Sequence, residues 1–164
     1  MEDIRKTYLH VLETLLAFHR DLLSVLEREA DAMVKHDVAA IEKTAREEGP
    51  LVESIRAAEQ KRQKTLLRMS QEFGRDLKRA NLAEIANACG GDYSARMLGL
   101  RAELREVAEE MARKNRLKTL LCEQSLSHVK TMLRFLTGSA ESGLYTPYGT
   151  LEEKARKVIL DQRV

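Results

Sequence analysis

Between Tyr93 and Leu136 the only strong helix breaker is Gly99, and apolar residues recur at three- and four-residue steps throughout. Met97, Leu100, Leu104, Val107 and Met111 form one seam; Leu117, Leu121, Leu126, Val129, Leu133 and Leu136 resume it with a shifted phase. At 1.5 Å per residue such a helix is about 65 Å long, well beyond the usual globular helix. A helix of this length buries its seam only against equally long partners, which the preceding residues must supply.

The composition agrees. Apolar residues make up 43% of the chain, enough for a core, while aromatics are only 4% and charged residues 33%. A Leu-, Ala-, Glu- and Lys/Arg-rich chain of this kind points to long helices or coiled coil, and the Val, Ile, Thr and aromatic clusters of a sheet are missing. The expected fold is all-α: long antiparallel helices in an elongated, coiled-coil-like bundle of three to four helices, followed by a flexible or loosely docked C-terminal tail.

The first helix is expected over about 3–34, with its stripe at Ile4, Tyr8, Val11, Leu12, Leu15, Phe18, His19, Leu22, Val25, Leu26 and Met33. Asp37 is placed to cap a second helix, about 38–73, after a turn so short that the two helices must lie antiparallel. Val38, Ile41, Ala45, Val52, Ile55, Leu66, Met69 and Phe73 mark its expected buried face. Gly49-Pro50 should kink or break it, because proline removes one intrahelical hydrogen bond. Glu59 and Arg62 make the middle of this hairpin polar and predict a stretch that is thin or partly open to water.

Asn81 can cap a short helix, about 82–89, which Gly90-Gly91 ends, and Asp92 is placed to cap the long helix over about 93–137. Asn115 either fixes the register of that helix or faces water. The body is thus expected over 1–137. The tail, 138–164, carries a loop, GSAESGLYTPYGT, and an amphipathic segment over about 151–160.

Basic and acidic residues, 28 and 26, are mixed along the chain, and Glu109 with Arg113 and Glu110 with Lys114 are spaced as i,i+4 pairs. This reads as solvated helix surface, with no nucleic-acid partner. No window suggests membrane insertion, and the acidic residues of MEDIRKTYLH are unlike a cleaved signal. Cys89 and Cys122 have no ligand spacing, and Cys122, beside Leu121, reads as a small core residue. A carboxylate-bridged metal pair would need Glu three residues before His, and none of the four histidines has an acidic residue there. With no phosphate loop and no nucleophile motif either, no catalytic residue, metal or cofactor is expected.

Recognition remains. Leu144, Tyr145 and Tyr148 are residue types suited to anchoring an interface, or they fold back over the end of the bundle. Leu126, Val129, Leu133 and Leu136 offer apolar surface beside them, and Leu151 and Ile159 lie on the apolar side of the last segment.

The order of features resembles the FlgN-type flagellar export chaperones. The resemblance rests on the Leu-rich first helix, the turn Lys35 to Asp37, and the final helix with KNRLKTLLCEQSLSHVKTMLRFL; a Gly/Ser linker and the ending LYTPYGTL complete it. It implies a cytoplasmic type III secretion chaperone that binds hook-associated proteins, of the FlgK and FlgL kinds, through their C-terminal helices. It further implies that premature assembly is prevented and that clients pass to the export gate, with client and gate contacts mapping to Leu126 through Leu160. The alternative is a non-catalytic coiled-coil scaffold or adaptor that self-associates, and a homodimer is compatible with either.

Overall fold

The computed structural model describes residues 2–137, every regular element of which is helical. Four helices follow in order: α1 (Glu2–Val34), α2 (Val38–Phe73), α3 (Leu82–Cys89) and α4 (Gly91–Thr137). The chain divides into two units after Lys118, inside α4.

In the first unit α1 and α2 form the antiparallel hairpin that their short connection requires. His36 takes the left-handed conformation, φ 55°, and the Asp37 carboxylate accepts from Ala40 N at 3.0 Å to start α2. Arg28 meets Glu47 near the turn, and Arg62 reaches the Tyr8 hydroxyl toward the other end, so residue numbers run in opposite directions. The α1 stripe is buried or half-buried along its length, as its spacing predicts, but it is wider than one seam. Leu9, Leu16, Ala30 and Ala32 are buried as well, because α1 has neighbours on more than one side.

The face that α2 buries differs in part from the expected one. Leu66 and Met69 are buried as expected, and Ile41, Ile55 and Phe73 are half-buried, but Thr44, Ala58 and Thr65 are buried as well, whereas Val38, Ala45 and Val52 are exposed. Small residues let the two backbones approach closely, and the Thr44 and Thr65 hydroxyls donate to carbonyls of the preceding turn, so neither is left unsatisfied. Nor does Gly49-Pro50 break α2, which runs through Pro50. Pro50 cannot donate to the Arg46 carbonyl, but this turn is exposed, and water can take the place of the lost donor.

Gly74, φ 62°, closes α2, and its N–H with that of Arg75 returns to carbonyls of the last turn. α3 opens on a reciprocal cap. The Asn81 side chain accepts from Glu84 N at 3.0 Å, and the Glu84 carboxylate accepts from Asn81 N at 2.8 Å. Asn81→Ala is expected to cost about 1 kcal/mol, read as a lowered urea midpoint at constant m-value.

Gly90, φ 67°, ends α3, and its carbonyl accepts from Ser94 N. The start of α4 is therefore set by Gly90, not by Asp92, which lies inside the first turn with its carboxylate favourably placed for the helix dipole. Four ion pairs give the direction of α4: Arg96 with Glu13, Glu103 with Arg20, Lys114 with Glu27, and Lys118 with Glu29. Numbers rise together, so this part of α4 runs parallel to α1 and antiparallel to α2.

The main core lies where α3 closes the base of this unit. Tyr8, Leu9, Leu12, Leu66, Met69, Leu77, Ile85, Ala86, Cys89 and Met97 form one buried cluster, with Phe73, Tyr93, Leu100 and Leu104 packed on it. A smaller cluster of Val11, Leu15 and Ala58 continues up the hairpin.

Candidate partner-binding surface

Val107 is the last buried residue of α4; among the described residues beyond it, through Leu136, none is buried. The apolar repeat nevertheless continues. Leu117 is exposed, and Leu120, Leu126, Val129 and Met132 are each more than half exposed. Phe135 and Leu136 are 84% and 83% exposed. Leu121 and Leu133 are intermediate.

With 100° between successive residues, Leu121, Cys122, Leu126, Val129, Met132, Leu133, Phe135 and Leu136 fall within about half of the helix circumference. Ser125 and His128 interrupt that half. Glu123, Ser127, Lys130, Thr131 and Arg134 take most of the other. Single exposed leucines are ordinary; a row of this length and width on one helix is a candidate interaction surface.

Of the residues expected to bind a partner, Leu126, Val129, Leu133 and Leu136 fall on this face. Leu144, Tyr145, Tyr148, Leu151 and Ile159 lie outside the described residues, as does the 151–160 segment. Leu120, Met132 and Phe135 were not singled out beforehand, although laying the whole repeat around a helix would have placed Met132 and Phe135 with the others. Cys122 is exposed, not a core residue, because the helix surface around it has no buried neighbour. Asn115 is exposed too.

The polar stretch of the hairpin also behaves as expected. A groove of about 420 Å³ opens there, lined by Tyr8, Leu12, Leu15, His19, Ile55, Glu59 and Arg62 together with Leu82 and Leu104. Arg62 donates twice to Glu59, at 2.7 Å each, and once to the Tyr8 hydroxyl at 3.2 Å. Arg62 holds the Glu59 carboxyl below its usual range, and burial pushes the Tyr8 phenol up. His19 Nδ1 lies 2.7 Å from the Leu15 carbonyl. These groups satisfy one another, which makes the network a structural one.

Surface charges pair somewhat differently from the i,i+4 reading. Arg113 bonds Glu110, Glu109 takes Arg105, and Lys114 turns to Glu27 on α1. Among the described residues no three His, Cys, Asp or Glu side chains group as a metal site, and no helix is long and apolar enough to cross a membrane.

A family model described as FlgN protein matches residues 1–153 of the chain. No curated protein and no solved structure matches it.

Proposed function

Because this chain belongs to the FlgN family of flagellar export chaperones, we propose that it binds hook-associated proteins in the cytoplasm through their C-terminal helices. Bound clients, of the FlgK or FlgL kind, are kept from assembling early and are handed to the export gate. The observation that carries this reading is the exposed apolar half of α4 from Leu121 to Leu136. An amphipathic client helix reads such a face through anchors at three- and four-residue spacing. Burying large side chains that are now half exposed or more supplies the driving force, at about 25 cal/mol per Å².

Leu126, Val129, Leu133 and Leu136 are assigned to client binding, with Leu144, Tyr145, Tyr148, Leu151 and Ile159 as further anchors from the tail. A self-associating scaffold would use the same exposed face, so a homodimer competes with client for it.

The test is a titration of the full chain, and of a chain ending at Gly138, with the C-terminal segment of a hook-associated protein from the same source. Tight binding by both is expected and assigns the main contact to α4. Binding lost on truncation assigns it to the tail. If neither binds, the chaperone reading fails and sedimentation should then reveal self-association.

A further inference from the structure

Between Ala108 and Lys118, α4 still meets the α1–α2 hairpin, but it does so mainly through charge. Lys114 Nζ is 3.9 Å from Glu27, and Lys118 Nζ is 2.7 Å from Glu29 and 3.5 Å from Glu48. The two lysines are one turn apart and so enter from one face. Glu29 is 3% exposed and stands at the end of the stripe that holds Leu22, Val25 and Leu26, an unusual place for a carboxylate. Its cation comes from α4. Apart from half-buried Met111, this part of α4 offers the hairpin no apolar side chain with comparable burial.

The start of α4 is held in the opposite way. Met97 is fully buried in the base cluster, with Tyr93, Leu100 and Leu104 against it. Apolar packing of that kind is lost only when the cluster itself opens. A buried ion pair gains little over its separated, hydrated partners, because desolvation offsets most of the attraction. Burial works against the Lys118 ammonium here, yet the hydrogen bond and charge of Glu29, with Glu48, keep its pKa above the ordinary lysine value. Lys118 therefore keeps its charge through the neutral range.

The geometry points to a detachable strap: Ala108–Lys118 of α4 is buckled into an acidic notch made by Glu27, Glu29 and Glu48, and it leaves that notch without opening the base cluster. The strap does not depend on any client being bound.

Amide hydrogen exchange on the full chain tests it. Residues 108–118 should exchange at least about tenfold faster than 93–104, because they open locally while the base stays closed. Lys118→Ala should speed 108–118 by about a further tenfold and leave 93–104 unchanged. The double change Glu29→Leu with Lys118→Leu, which replaces charge by apolar contact, should slow 108–118 toward the rate of 93–104. Equal protection of both segments in the unaltered chain overturns the proposal. So does an equal rise in both on Lys118→Ala, which would show that the clasp and the base form one cooperative unit.

Discussion

Replacing Leu126, Val129 and Met132 together by Asp should weaken client binding by about a thousandfold or more, while the chain keeps its helix content and melts within a few degrees of the unaltered protein. All three side chains are about half exposed in the free chain, so their removal leaves no cavity. In a complex each would surrender about 1 kcal/mol or more of transfer free energy, and each carboxylate would resist dehydration against an apolar client. Together this amounts to about 4 kcal/mol or more, the thousandfold loss. Calorimetric titration beside a circular-dichroism melt separates the two effects. Unchanged affinity would remove α4 from the interface, and a collapsed melt would mean that the face is needed for folding.

Tyr8→Ala should have the opposite profile, destabilising the first unit by about 3–5 kcal/mol. Tyr8 is fully buried at the centre of the base cluster, which draws on α1, α2, α3 and α4 together. Its ring fills space that the short Ala side chain cannot, and its hydroxyl accepts from Arg62. Tyr8→Phe keeps the ring and loses only that bond, so it should cost about 1 kcal/mol. Urea unfolding of the pair distinguishes packing from hydrogen bonding. A cost below about 1 kcal/mol for Tyr8→Ala would mean that the base cluster is not what holds these helices together.

Much of this architecture is legible from residue spacing. The α1 stripe, the Asp37 and Asn81 caps and the glycine stop at Gly90 all act through local chemistry, and local chemistry is what a sequence displays. The face of α2 was harder to read. Hydrophobicity favours Val38 and Val52, yet the buried face holds Thr44, Ala58 and Thr65 beside Leu66 and Met69. Glu29 is harder still, since a buried carboxylate becomes intelligible only when Lys118, far away in sequence, is known to meet it.

The two seams of α4 teach a further point. Met97 through Met111 and Leu117 through Leu136 have the same periodicity, yet the first is buried or half-buried while the second is largely exposed. Periodicity states that a helix has an apolar face. It does not state whether the partner for that face belongs to the same chain. The exposed half of the repeat is the candidate site, and what distinguishes it from core is a fact about neighbours, not about composition.

The base cluster also sets an order of events during synthesis. It joins Tyr8 and Leu12 to Ile85 and Met97, so α1 cannot complete its burial until α3 and the start of α4 have followed it out of the ribosome. Until then α1 and α2 can pair only with each other, and the nascent chain displays an apolar α1 surface of its own. A member of a chaperone family is thus, for a part of its translation, a chain with an apolar surface of its own to cover.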